Sequence, residues 1–427
     1  MNIKNITPIL FSALSLGLAW AIRGSFGHEY GAAWAGAIGT FAVVVISRNK
    51  NWISNAPVLT ALGALGWGVG GMSSYGVVIG YCRSTDLLNV MYGYLMLFVI
   101  GGIYGFIGGG FFGLGLESEK NKRPNWANLI TQMTAGAMLT WGFIIYQLEW
   151  FMTPPRSELW AAAFGASLAL GWYLWREDFK QSLRIALFTC VGAGIGFSFG
   201  NFIQVVGSVS GINYNWWNVM EFILGFSGGI ALTYSVFTSG IHKQITFSKS
   251  SNFFAFIFLF IILPFINFDQ SFSFEYFNKL SSLQTSLSGN DFSILQIGLG
   301  WLMILIISVL AFITLQKFES TNNSKYMNYL FTLIFLYYNV FLIIRNGLFY
   351  SGFELSNSNT LYIPIFAVII LLLYQSKYEL KNSISDNPML SKQLITFAVS
   401  ALVVIIILSI ISINLHNGLP GAQLRFQ

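Results

Sequence analysis

The chain has 427 residues, 55% of them apolar and only 9% charged; ordinary soluble domains carry about 25% charged residues, so that class is excluded. The net charge of +6 comes from basic residues standing singly in short loops between apolar runs, which excludes a nucleic-acid-binding face and reads as a footprint of membrane orientation. Cys82 and Cys190 fall on different predicted helices at different depths, so neither a disulfide nor a metal site follows from them.

A hydrocarbon core about 30 Å thick takes roughly 20 apolar residues of helix to cross, and only helices or closed barrels satisfy the backbone there. Thirteen segments fit: 6–23, 30–47, 57–81, 91–116, 126–148, 159–175, 183–207, 217–239, 253–268, 293–315, 326–345, 361–375 and 393–414. The expected fold is therefore an all-α, polytopic integral membrane protein of about thirteen transmembrane helices. The first segment has no small-residue cleavage site and leads directly into the next span, so it reads as a helix rather than a removable signal. With the N-terminus inside, 16 of the 22 basic residues lie in inner loops and 6 at outer positions. That bias places the N-terminus in the cytoplasm and the C-terminus outside.

Composition divides the chain near residue 245. Of 43 glycines, 36 precede that point. Residues 1–245 read as a Gly-rich eight-helix bundle, and 246–427 as a five-helix region rich in Phe, Ile and Leu. Glycines four residues apart, at 101, 105, 109 and 113 and at 192, 196 and 200, permit close helix approach. A weak internal similarity suggests a parallel duplication of a four-helix unit, 1–123 and 124–245. Leu18-Ala-Trp20 matches Leu139-Thr-Trp141, Trp34 matches Trp160, and Asn89-Val-Met matches Asn218-Val-Met. The stretch 269–291, rich in Ser, Asn and Gln, reads as the longest outer loop.

Polar groups gather at the outer ends of the first eight spans. Between the first two runs a segment from Arg23 to Gly31 that holds His28 and Glu29, suited to moving a proton or binding a polar solute. The third span ends with Ser73 and Ser74, followed by Arg83 and Asp86, which are placed to pair with each other. Glu149 closes the fifth span, where the helix dipole disfavours a carboxylate, so a cationic partner such as Arg156 is expected. Asn201 and Gln204 share a face of the seventh span. Glu221 lies about one turn into the eighth, where an acidic group is costly and by default a functional candidate. Arg345 ends the eleventh span. The candidate solute-binding set is Arg23, His28, Glu29, Ser74, Arg83, Asp86, Glu149, Asn201, Gln204, Glu221 and Arg345.

No phosphate-binding loop, nucleophile elbow or metal-ligand spacing occurs in the sequence, so no cofactor or metal is expected. The reading that follows is a multi-pass transporter or permease for a small polar or charged solute, with a pocket opening to the extracytoplasmic side. Two other readings fit the same residues. One is an integral membrane enzyme with an extracytoplasmic-face site for glycosyl, acyl or lipid-linked group transfer. The other is an anchoring subunit whose second region docks a membrane-protein partner. The expected partners are the lipid bilayer and a small-molecule solute or lipid-linked substrate, with no nucleic acid. A composition rich in Lys, Asn and Ile points to the cytoplasmic membrane of a bacterium.

Overall fold

The computed structural model describes residues 6–241, 245, 247–284, 287–348, 359–376 and 390–426. Lys4, Lys243, Lys377 and Lys381, four of the basic residues counted in the inner loops, lie outside them. The described chain is all-helical. In order come α1 (Ile6–Arg23), α2 (Glu29–Ser47), α3 (Lys50–Ser54), α4 (Ala56–Gly70), α5 (Gly76–Tyr81), α6 (Leu87–Glu117), α7 (Trp126–Trp141) and α8 (Leu159–Arg176). They are followed by α9 (Lys180–Val209), α10 (Trp216–Phe237), α11 (Lys249–Ile257), α12 (Leu263–Ser271), α13 (Phe274–Gln284), α14 (Gly289–Thr321), α15 (Lys325–Arg345), α16 (Asn359–Gln375) and α17 (Leu390–Ile413). A π-helical turn extends α7 over Gly142–Gln147, and another, Phe258–Ile262, joins α11 to α12.

Helix starts follow the capping residues. Asp86, Asn125, Asn215, Ser248 and Ser288 each accept a hydrogen bond from the backbone N–H three residues on, satisfying a donor that the helix leaves free.

Ten of the described helices are long and apolar enough to cross a bilayer. The predicted spans 159–175 and 361–375 do form helices, but α8 is rich in Ala and Trp and falls below the apolarity of the ten, and α16 has only 17 residues. The predicted single span 57–81 is corrected. It is interrupted, α4 ending at Gly70 and α5 starting at Gly76, with Gly71 to Tyr75 non-helical between them. Gly71 lies against Ala32 and the His28 carbonyl, so the neighbouring loop meets the chain where it leaves the helix. The stretch 269–291, expected as the longest outer loop, is largely helical: it takes in the end of α12, all of α13 and the start of α14.

Six helices close a ring. α1 packs on α2, α2 on α4, α4 on α6, α6 on α9, α9 on α10, and α10 back on α1. Glycine makes the contacts close. A Cβ at Gly101 or Gly113 would fall 2.6 Å from the Ala193 carbonyl or 2.8 Å from Ser182 Cα of α9. Gly192, Gly196 and Gly200 on the opposite side of α9 meet Ala231, Ser227 and Met220 of α10. Gly225 and Gly229 of α10 rest on Leu16 and Ala13 of α1. Without a hydrophobic drive between helices in lipid, such backbone-level packing is the main source of association.

The α7–α8 hairpin lies outside the ring, with α8 against α6 and α9. The second region wraps the rest: α15 contacts α1 and α2, α16 lies on α1, α11 on α4, α12 on α2, and α17 on α6 and α9. Helices α7 and α14 keep most of their surface outward, which suits contact with lipid.

Loops on the two ends of the bundle meet their own kind. At one end Asn51 exchanges hydrogen bonds with Ile245 (2.9 and 3.0 Å), Glu119 bridges Ile245, and Lys122 donates to the Asp178 carbonyl. At the other, the tail after α17 binds the α5–α6 turn. Gln423 N–H donates to the Gly80 carbonyl (3.0 Å), Leu419 N–H to the Arg83 carbonyl (3.2 Å), and Phe426 N–H to Asn89 Oδ1 (3.0 Å).

Candidate functional site

The ring interior is filled by aromatic side chains. Trp67 of α4 lies at its centre: it abuts Gly36 of α2, Gly108 of α6 and Gly228 of α10, and its ring stands 5.0 Å from that of Trp20 on α1. Tyr104 of α6 approaches Trp20 at 5.6 Å and Phe197 of α9 at 6.3 Å. Glycine on three neighbours makes room for one indole at the axis.

Directly above this layer lies a buried ion pair. Arg23 is the last residue of α1, where the negative end of the dipole favours a cation. Glu221 is near the start of α10, where the positive end favours an anion. Arg23 Nη2 donates to both oxygens of Glu221, at 3.2 and 3.0 Å, and to the Tyr75 hydroxyl at 2.9 Å. Tyr75 O–H in turn donates a short hydrogen bond to Glu221 Oε1. Arg23 and Glu221 are only 1% and 0% exposed, so the pair is sealed from solvent. The guanidinium also lies 4.7 Å above the Trp20 ring. With about 1.5 Å of rise per residue, Glu221 is about 8 Å from the start of α10, nearer that end of the helix than its middle.

Tyr75 is held by the interruption between α4 and α5. The Tyr104 hydroxyl fixes this segment by donating to the Ser73 carbonyl at 2.6 Å. Tyr75 packs edge-on against Phe197 (4.9 Å) and His28 (5.4 Å), and lies 5.9 Å from Trp217. His28 sits in the turn between α1 and α2. Its partial burial, then the charges of Arg23 and Arg156, push the imidazole pKa down to about 4, so it is neutral at physiological pH.

The remaining sequence candidates divide. Glu29 begins α2, directly after His28. Ser74 is buried next to Tyr75. Asn201 Nδ2 donates to Gln204 Oε1 at 2.8 Å, and both are buried one to two turns beyond Phe197 on α9.

Arg83 and Asp86 do not pair. Arg83 donates to the Pro420 carbonyl of the tail, and Asp86 caps α6 through Asn89. Glu149 is exposed in left-handed backbone (φ 50°) and makes no ion pair among the described residues, so the expected pairing with Arg156 is not formed. The buried carboxylate of that loop is Glu158, which accepts from the Met152 and Thr153 N–H groups and from Trp160 Nε1. Arg345 stacks 4.6 Å from the Tyr276 ring of α13, away from the Arg23 pair.

Sequence reasoning missed Tyr75, Trp20, Trp67 and Tyr104. The signal for Tyr75 was its place in Ser73-Ser74-Tyr75-Gly76, a polar, glycine-ended break inside an apolar run. Among the described residues no group of three His, Cys, Asp or Glu side chains converges as a metal site, and both thiols are free. Comparison of the chain with known protein families, with curated proteins and with solved structures finds no match in any of the three.

Proposed function

We propose that the chain is a permease that moves a small polar or charged solute along the axis of the six-helix ring. The observation that carries this reading is the sealed Arg23–Glu221–Tyr75 cluster inside a closed ring of helices, at an interrupted span. Charged groups within a membrane are costly and mark transport routes, and broken helices are where transporters bind their substrates. Trp67, Trp20 and Tyr104 form the inner barrier, and Tyr75 covers the cluster from the outer side. We take the interrupted α4–α5 segment as one crossing and add α8 and α16 to the ten long apolar helices, giving thirteen crossings. The positive-inside rule then puts the cluster nearer the extracytoplasmic face of a bacterial cytoplasmic membrane.

The test is solute flux into vesicles containing the purified chain, measured with small acids, bases and neutral solutes under imposed proton and sodium gradients. Flux of at least one solute class is expected, and Trp67→Ala is expected to raise passive leak by removing the indole at the ring axis. Absence of flux under every gradient, with Trp67→Ala equally tight, overturns the reading. The position of Glu221 near one surface favours a membrane enzyme as the second reading. It predicts turnover of a lipid-linked substrate in detergent, where no gradient exists, and loss of that turnover in Glu221→Gln.

A further inference from the structure

We infer that the groove between α6, α8 and α9 binds an anionic membrane lipid, with a hydrocarbon chain laid along the groove and the phosphate held by Arg176 and Lys180. The inference is independent of the permease reading and holds whether or not a solute crosses the ring. It begins from how α8 is attached. Gly136 and Gly165 bring α7 and α8 into backbone contact, so close that a Cβ on Gly165 would overlap the Gly136 carbonyl. α8 thus packs mainly on α7 and touches α6 and α9 only lightly. A cavity of about 480 Å³ remains between the three helices, a size within the range of ligand pockets. Glycine widens it on two walls, since Gly102 of α6 and Gly171 of α8 line it without side chains.

The lining decides the chemistry of the occupant. Apart from the two glycines, Ser167 and Cys190, it is aliphatic and aromatic. Ser167 Oγ donates to the Phe164 carbonyl at 2.7 Å, so its proton is already used. A polar solute would give up its water there without replacement, whereas a hydrocarbon chain has none to give up. The groove opens outward, where Leu168 and Trp172 on its wall are both 55% exposed. In a chain whose long apolar helices cross a bilayer, the medium that reaches this face is lipid. The cavity is a recess between helices rather than a flat face. A single chain enters it, while a neighbouring helix, about 10 Å across, would lie over it.

Charge decides which lipid. Phe164, Leu168 and Trp172 of the lining stand four residues apart on α8, and the next position on that face is Arg176. On α9 the lining residue Leu183 has Lys180 one turn before it on the same face. Both walls therefore end in a cation, at the same α8–α9 turn. Trp172 and Trp175, with rings 5.1 Å apart and both exposed, fit a membrane interface at this level. Lys180 also opens α9, which adds the positive end of a 30-residue helix dipole. Arg176 pairs with Glu177 and Lys180 with Asp178, each at 2.9 Å, but both pairs are exposed. Such pairs contribute little. A phosphate offers the two cations charge-assisted hydrogen bonds, and the two carboxylates keep their water.

The experiment uses the full chain carrying Cys82→Ala, purified in lipid-free micelles, so that Cys190 in the groove wall is the one thiol left. Its alkylation by N-ethylmaleimide is timed with three additions. Dioleoylphosphatidylglycerol has chains and phosphate, dioleoylglycerol has the chains alone, and glycerol 3-phosphate has the phosphate alone. The phospholipid is expected to slow alkylation by about fivefold or more, dioleoylglycerol by less than half that factor, and glycerol 3-phosphate not at all. In Arg176→Gln/Lys180→Gln, two exposed positions, the phospholipid is expected to protect no better than dioleoylglycerol. If Cys82→Ala does not fold, the same rates are read in the unsubstituted chain by mass spectrometry of the peptide that holds Cys190. A thiol inert before any lipid is added, no protection by either lipid, or equal protection by both overturns the inference. Protection by glycerol 3-phosphate overturns it, as does phospholipid protection that survives the double substitution. Protection that rises with protein concentration and not with lipid seats a second copy of the chain on the groove, and overturns it too.

Discussion

Tyr75 is the residue on which the cluster closes, because its hydroxyl joins Arg23 and Glu221 at once. Tyr75→Phe keeps the ring packing and deletes those bonds, leaving a buried ion pair short of a partner. A loss of about 1–3 kcal/mol is expected, measured as a lower midpoint in detergent unfolding. Tyr104→Phe, which loses one bond to the Ser73 carbonyl, should lose about 1 kcal/mol. His28 gives a pH prediction with a definite sign. Its folded pKa of about 4 lies below the ordinary value of 6.5, so the unfolded chain binds the proton first as pH falls. Its contribution is complete above pH 6.5 and is lost between there and about pH 4. For this partly exposed group the contribution is on the order of 2 kcal/mol. His28→Gln should flatten that part of the stability–pH curve, and an unchanged slope would assign it to other groups. Arg23 and Glu221 were legible in the sequence because a charge in an apolar run is expensive. Tyr75, Trp20 and Trp67 were not, since the chain has 40 Phe, 19 Tyr and 13 Trp and nothing local marks the few that face the axis.

At the scale of elements, helix positions were readable from apolar length, but partners had to come from glycine geometry. The stripe 101, 105, 109 and 113 marked a close contact without naming α9 as its other half. Gly105→Leu is expected to wedge α6 from α9, because even a Cβ there overlaps the Thr189 carbonyl. Overpacking of this kind costs about 1–3 kcal/mol or more and should appear as loss of monodisperse protein on size-exclusion. Gly142→Ala, with no atom within 4 Å of its Cβ position, should be tolerated. The apparent repeat is partly a capping effect. Asn89 and Asn218 occupy the same place because Asp86 and Asn215 cap the N–H three residues on, and Asn125 does the same for Asn128 on a third helix. The surroundings of the paired units also differ, since α1 and α2 belong to the ring while α7 and α8 form a hairpin outside it.

At the scale of the whole molecule, the ring is a long-range fact that no local pattern contains: α10 must return to α1 across nearly two hundred residues. What the sequence does carry globally is the charge bias, and its consequence can be tested without knowing the solute. Loops assigned to one side touch each other, as Asn51 touches Ile245, and the C-terminal tail binds the α5–α6 turn on the other. Two ends are thereby defined, and in the proposed orientation the end with more basic residues faces the cytoplasm. In a background of Cys82→Ala and Cys190→Ala, single cysteines at the exposed positions Lys120 and Leu424 mark the two ends. A membrane-impermeant thiol reagent added to intact cells should label Leu424→Cys, and label Lys120→Cys only after the membrane is opened. The reverse pattern would invert the molecule and place the Arg23 cluster at the cytoplasmic end, so that a solute would reach it from within. Equal labelling of both before lysis would mean that the two ends are not separated by a bilayer, and the axial route through the ring would lose its meaning.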